Sequence, residues 1–284
     1  MPLAKGNRIN PSPVDQFLNR VISYLVYRWN QRVQLKPEAH GPLMDLLALL
    51  KPMQARSQRK IRIGSNRDGG YVMLDDFAKL DGAFSLGVGR DISWDYAIAE
   101  RGIPVWQYDH TIDALPKMHP HFHFAPRKIV SQSSSPNEIE LASLLKKWTG
   151  KQIIMKMDIE GDEWEVLSRL DSHLLASCRQ LVIEFHDFLS VENPAWHDRA
   201  RQALLVLGND FSVVHVHANN ISKHIVSHGL TLPDGLEVTF ANRLRYQLEP
   251  TDETFPGPND RKNNPYFPDF HLGRFQFGLE GEKK

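Results

Sequence analysis

One stretch constrains the fold more than any other: Gln152-Ile153-Ile154-Met155-Lys156-Met157-Asp158-Ile159-Glu160-Gly161. It reads as a buried strand that stops at a carboxylate. Asp158 stands where the strand ends, Glu160 follows, and Gly161-Asp162 opens a helix. In an open parallel sheet, ligands bind beyond the carboxyl ends of the strands. An acid at that edge is therefore a candidate for a site.

The rest of the chain repeats this rhythm. Short extended runs are expected at 61–63, 71–74, 83–86, 105–108, 128–130, 181–185, 211–216 and 236–240. Helices are expected at 42–53, from Asp91 to Arg101, at 137–148, from Asp162 onward, and through Ala200, Ala203, Leu204 and Leu207 to Gly208. Gly102 and Pro104 give the second of these a regular stop signal. Asp162 and Glu165 make a capping-box-like pair. Strands alternating with helices imply a parallel sheet covered on both faces. Phe17, Val21, Leu25 and Trp29 form an apolar stripe that predicts an earlier helix over 14–33.

Bulk numbers bound the function. Of 284 residues, 41% are hydrophobic, enough for a proper core. Lys+Arg 34 balance Asp+Glu 34, so no global charge favours nucleic acid or an anionic membrane. The basic run Arg56, Arg59, Lys60 and Arg62 is either a solvated face or a contact for an acidic substrate. The one cysteine, Cys178, excludes an internal disulfide and a cysteine zinc cluster. It also suits a reducing compartment. No apolar run reaches the roughly 18–20 residues of a membrane helix, and no secretory signal is evident. A cytoplasmic protein is the expectation.

Gly87-Val88-Gly89 follows a strand and precedes a helix, where glycines allow a ligand close to the backbone. Asp109 ends the next strand about 20 residues on, the spacing at which a carboxylate meets ribose hydroxyls. An adenosine-type cofactor is implied. The dinucleotide fingerprint needs a third glycine, and Ile92 occupies that place. Asp91 disfavours a pyrophosphate and suits a ligand bearing an ammonium, such as S-adenosylmethionine. In the turn before the first cofactor strand, Asp68 and Gly69 could meet the amino end of that cofactor, and Tyr71 could wall the pocket.

Met155-Lys156-Met157-Asp158-Ile159-Glu160-Gly161-Asp162-Glu163 resembles the central motif of the FkbM-type methyltransferases. Asp68-Gly69-Gly70-Tyr71-Val72, Ser85-Leu86-Gly87-Val88-Gly89 and Leu181-Val182-Ile183-Glu184-Phe185-His186 are similar to a methyltransferase-like subgroup of that family. His217-Ala218-Asn219-Asn220 and Leu236-Glu237-Val238-Thr239-Phe240 also fit it. The similarity runs from about Ile61 to Phe275. It implies a class I, Rossmann-like α/β fold with a seven-stranded, mostly parallel sheet, helices on both faces and the last strand antiparallel. It also implies S-adenosylmethionine as cofactor and O-methylation as the reaction.

Methyl transfer to an alcohol needs an in-line oxygen and a group to take its proton. Asp158, Glu160, Glu184 and His186 at the sheet edge are the catalytic candidates. His186 is the natural base, because an unperturbed imidazole titrates near neutrality. Glu160 either holds a substrate hydroxyl or bonds amides of its own loop. Gly87, Gly89, Asp91, Asp109 and Asp158, with Asp68, Gly69 and Tyr71, are the cofactor candidates. No metal is assigned. His215 and His217 alternate along a strand and could share one; otherwise they are polar neighbours of the pocket. His119, His121 and His123, among prolines, are expected in a surface loop over the pocket.

Three domains follow: a helical extension over 1–60, a methyltransferase domain over 61–248, and an irregular aromatic-rich tail over 249–284. The tail is expected to pack on the domain or on a partner subunit, because disordered tails are poor in aromatics. The resemblance implies O-methylation of a sugar, glycan or other small polyhydroxylated acceptor, the carbohydrate preference resting on family analogy alone; no nucleic acid and no membrane span are expected. A homodimer is one use for the extension and tail. The alternatives are an NAD-linked oxidoreductase on the same sheet and a non-catalytic binding protein.

Overall fold

The computed structural model describes residues 32–277. The stripe Phe17, Val21, Leu25 and Trp29 lies outside the described residues. The central sheet has seven strands: β1 (Gly82–Leu86), β2 (Val105–Tyr108), β3 (Phe122–Ala125), β4 (Ile153–Met157), β5 (Cys178–Phe185), β6 (Phe211–Ala218) and β7 (Leu236–Asn242). Their order across the sheet is β3-β2-β1-β4-β5-β7-β6. The first five run parallel, and β7 is antiparallel to both of its neighbours. This is a Rossmann-like, mostly parallel sheet with its last strand antiparallel.

One strand assignment is corrected. The edge strand is Phe122–Ala125, not Lys128–Val130, which pairs with Glu138–Glu140 in a separate two-stranded ribbon. Pro116 and Pro120 make this region read as a loop. Phe122 and Phe124 nevertheless alternate on one face, and both pack with the apolar cluster beneath. His123 stacks on Trp106 of β2, with ring centroids 4.8 Å apart. His123 thus belongs to the sheet edge, His119 and His121 stand in the turn that leads into it, and none of the three lines the cavity.

Five helices are described: α1 (His40–Leu49), α2 (Ser93–Ala99), α3 (Leu141–Lys146), α4 (Glu163–Ser168) and α5 (Pro194–Gly208). Period-two alternation sends successive strand residues to opposite faces. Ile153, Met155 and Met157 of β4 and Leu181, Ile183 and Phe185 of β5 enter the larger core. There they meet Leu43, Leu46 and Leu47 of α1, Leu144 of α3, Trp164 and Leu167 of α4, and Ala203 and Leu207 of α5. Ile154 and Val182 face the other way, onto Trp94 and Ile98 of α2 and onto Ile63, Tyr71 and Met73. Those last three belong to an antiparallel hairpin, Lys60–Ile63 with Tyr71–Leu74. The second face is therefore covered by one helix and a hairpin.

The hairpin side also carries the sheet's buried polar residues. Ser85, Lys156 and Glu184 share the parity of Ala83, Ile154 and Val182, so they lie under the hairpin near the carboxyl edge. The basic run pairs within the chain: Arg56 with Glu249, Arg59 with Asp75, and Lys60 with Glu253. Arg62 donates to the carbonyls of Ser65 and Arg67. After β7, Leu248–Pro250 pairs with Met53–Ala55. Phe255 and Phe275 then bury in the larger core. Among the described residues, no helix is long and apolar enough to cross a membrane.

Candidate active site

The strand order reverses between β1 and β4, and that switch point opens a crevice at the carboxyl edge. Leu86 lies opposite Met157, so Gly87 and Asp158 leave the sheet side by side. The Asp158 N–H donates to the Leu86 carbonyl at 2.8 Å. Gly87 has φ +75°, and a Cβ there would fall 1.6 Å from the Asp158 carbonyl oxygen. Only glycine permits this approach. Lys156 ties the two loops together by donating from Nζ to the Gly87 carbonyl at 2.6 Å. Its Nζ also lies 3.7 Å from Asp158 Oδ2. Sequence reasoning missed this role, although a lysine inside a wholly buried strand was its signal.

A cavity of about 290 Å³ sits above this junction. The glycine turn, Asp91, Asp109, Asp158 and Glu160 line it together with Asp68 and Gly69. Asp109 and Asp158, the ends of β2 and β4, thus open onto one crevice. Gly89 has φ +60°, and a Cβ there would meet nothing within 4 Å, so its open face borders the cavity. Gly69 rests on Asp91, whose Cγ would lie 2.6 Å from an added Cβ. Ser93 Oγ donates to the Gly69 carbonyl at 3.2 Å and pins that loop to the start of α2.

Asp109 is held by the chain itself. Its Oδ2 accepts from the N–H groups of Val88 and Gly89 at 2.9 and 2.7 Å. Its Oδ1 accepts from Thr111 N and Oγ1 at 2.7 and 2.6 Å. Burial alone would raise its pKa, but these bonds outweigh burial and hold the carboxyl below its ordinary range. A carboxylate offers about four acceptor positions, and here four donors fill them. Asp109 therefore shapes the glycine turn, and a ribose hydroxyl would have to share or displace the Thr111 donors.

Tyr71 is corrected from its expected place. It does not wall the cavity; it lies buried behind Asp158. Its hydroxyl donates to Asp158 Oδ2 at 3.0 Å and lies 3.4 Å from Glu184 Oε2. Asp158 Oδ1 is left without a hydrogen bond closer than His186 Nε2 at 3.8 Å.

His186 gathers the carboxylates. Its Nδ1 is 3.2 Å from Glu163 Oε1. Its Nε2 lies 3.7 Å from Glu184 Oε1, 3.8 Å from Asp158 Oδ1 and 3.9 Å from Glu160 Oε2. Burial alone would lower the imidazole pKa. The hydrogen bond and charge of Glu163, with the charges of Glu184 and Asp158, outweigh it and push the pKa up to about 10. A ring that keeps its proton at neutral pH is poorly suited to the general-base role expected for His186. The cause is tertiary: Asp158 and Glu160 of the loop after β4, Glu163 at the start of α4 and Glu184 of β5 surround one ring. Burial raises the Glu184 carboxyl well above its ordinary value, and the charges of Asp158 and Glu237 add to the effect. Asn219 Nδ2 donates to Glu184 Oε1 at 2.7 Å.

The two loop acids divide their work differently from expectation. Glu163, fully buried, accepts from the N–H groups of Ile159 and Gly161 at 2.7 and 3.0 Å. Glu160 bonds none of these amides; it adopts φ +58° and its side chain is 86% exposed. Neither member of the expected capping pair caps the helix. Asp162 pairs with Lys128, while Glu165 pairs with Arg169 and Arg199.

His215 and His217 take separate partners. His215 Nε2 is 2.7 Å from Asp260, and His217 Nδ1 is 3.0 Å from Glu237. Neither ring joins a group of three ligating side chains among the described residues, so their alternation does not make a shared metal site. The acids come from β7 and from the tail, which strand spacing alone could not reveal.

Residues 77–211 match the family model described as the methyltransferase FkbM domain. No curated protein matches the chain. The matched segment contains β1 to β5, the glycine turn and the acids that line the cavity, among them Asp91, Asp109, Asp158 and Glu160, but not Asp68.

Proposed function

Residues 77–211 are a methyltransferase FkbM domain, and we propose that the chain is an S-adenosylmethionine-dependent O-methyltransferase acting on a sugar, glycan or other small polyhydroxylated molecule. The observation that carries this reading is the shared crevice: Asp109 and Asp158 line one cavity beside the open face of Gly89. When bound, S-adenosylmethionine supplies a methyl group activated by a sulfonium. The cavity fits such a ligand, because Gly89 leaves room for a nucleoside and the carboxylates of Asp68 and Asp91 suit its ammonium.

The chain's own residues then position the acceptor. Asp158 Oδ1, free of hydrogen bonds, orients the hydroxyl at the cavity rim. Tyr71 and Lys156 fix the Asp158 carboxylate from behind. Glu160 reaches the same rim with an unbonded, exposed carboxylate and takes the proton as the oxygen gains the methyl group. The cationic ring of His186 holds these acids close. Positioning of this kind supplies a large share of the rate.

Calorimetric titration with S-adenosylhomocysteine and with NAD tests the reading. Binding of the first alone is expected, followed by transfer of labelled methyl to a member of a glycan panel. Tight NAD binding with no response to S-adenosylhomocysteine would refute it.

A further inference from the structure

Asp158, Glu184 and His186 place three ligand atoms within 4.8 Å of one another, and Asp158 joins this cluster to the cavity wall. We propose that they form a divalent-cation site, of the Mg²⁺ or Mn²⁺ class, which holds the acceptor hydroxyl in front of the cofactor. The proposal rests on the methyltransferase reading above and extends it to how that site binds its acceptor.

Four features of the cluster point to a ligand. His186 Nε2 has no hydrogen-bond partner, and its oxygen neighbours stand at 3.7 and 3.8 Å, beyond hydrogen-bonding range. Those separations fall between the roughly 3.0 Å of adjacent and the roughly 4.2 Å of opposite ligands around a cation with bonds of about 2.1 Å. Second, the other ring nitrogen is already anchored. Nδ1 faces Glu163, which is itself fixed by two loop amides. A carboxylate behind a histidine is the usual outer support of a metal ligand, because it sets the tautomer and aims Nε2; the cation takes the place of the Nε2 proton, so its binding competes with protonation of the ring.

Third, Glu184 is only 4% exposed, yet it sits beside Asp158 without a cationic partner in hydrogen-bonding contact. Buried carboxylates are paired or coordinate metals. Fourth, the donor set is one imidazole and two carboxylates, one of which, Asp158, lines the cavity. Hard oxygen-rich sets favour Mg²⁺ or Mn²⁺ over softer ions, and open positions leave room for water or a hydroxyl.

The chemistry follows simply. The cation binds the acceptor oxygen and lowers its pKa. The O–H proton passes to Glu160, the oxygen forms its bond to the methyl carbon, and the methyl–sulfur bond breaks with its electron pair left on sulfur. A sugar bearing neighbouring hydroxyls could chelate the ion through two oxygens, which would favour polyhydroxylated acceptors.

Manganese paramagnetic-resonance titration of the purified full chain, with S-adenosylhomocysteine present, tests this. One Mn²⁺ site per chain is expected, displaced by Mg²⁺. His186→Ala and Glu184→Gln should each weaken Mn²⁺ at least tenfold. Glu163→Gln should weaken it by about 10–100-fold through the ring alone. His215→Ala, distant from the cluster, should leave it unchanged. Thermal melts report folding; if Glu184→Gln unfolds, His186→Ala, at a side chain 20% exposed, decides the matter. Normal S-adenosylhomocysteine binding without a Mn²⁺ site would overturn the metal and leave the methyltransferase reading standing. Mn²⁺ binding that survives His186→Ala would equally overturn it. Failure to bind S-adenosylhomocysteine would instead strike the reading beneath.

Discussion

Gly87 and Gly89 lie two residues apart in one turn, yet alanine should act on them in different ways. At Gly87 the new Cβ would sit 1.6 Å from the Asp158 carbonyl oxygen and 2.6 Å from its carbon. Ordinary contact begins near 3.4 Å, so the two loops must part by about 1.5–2 Å. Both obstacles are backbone, and no rotamer can relieve them. Left-handed φ costs a further ~1–2 kcal/mol for a residue with a Cβ. With overpacking at about 1–3 kcal/mol, Gly87→Ala should lose roughly 2–5 kcal/mol. At about 2–4 °C per kcal/mol for a chain of this class, its melting point should fall by about 10 °C. The same shift separates the glycine turn from Asp158 and should abolish S-adenosylhomocysteine binding. At Gly89 the Cβ meets nothing, so only the backbone term of ~1–2 kcal/mol remains. Its methyl would still enter the cavity, and affinity should drop at least tenfold. Differential scanning fluorimetry and calorimetry on both variants make the comparison. A Gly87→Ala protein that melts within 2 °C of wild type and binds normally would refute the steric argument. Unchanged affinity in Gly89→Ala would show that the ligand does not lie against that turn.

Three further outcomes can be measured. Asp109→Asn turns an NH₂ group against two N–H donors and should cost about 2–3 kcal/mol at neutral pH. The wild-type contribution is present above the ordinary carboxylate pKa and is lost as pH falls through the depressed folded value, so acid denaturation curves of the two proteins should converge. Lys156→Met keeps the volume but strips the Gly87 carbonyl of its donor. A loss of about 3 kcal/mol in urea, with unchanged slope, is expected. Burial alone would lower the His217 pKa; Glu237 and Asp269 outweigh it and raise it to about 10. That stabilisation is complete below pH ~6.5 and vanishes as pH rises toward 10. His217→Gln should flatten the pH dependence of the melting point in that window, and an equally steep curve would refute the pairing.

Legibility of the site tracked the range of the interaction. Strand β4 could be read directly, because five consecutive buried residues ending in an acid leave few alternatives. The placement of Gly87, Asp109 and Asp158 followed from local rhythm plus the rule for strand ends. His186 was picked out by position, but its protonation state was not legible, since a single ring's charge depends on acids 2, 23, 26 and 28 residues away. The edge strand at 122–125 was hidden because prolines around it mimic a loop.

The amino-acid order by itself determined a parallel, doubly covered sheet and the crevice at its carboxyl edge, because period-two burial and glycine turns are local properties. Folding in three dimensions decided what the crevice can do. It made Tyr71 a hydrogen-bond support rather than a wall, and saturated Asp109. It also gave His215 and His217 separate acids from β7 and the tail, and drew Asp158, Glu184 and His186 around one point. Charge acts through space, so residues distant along the chain set the chemistry of each group.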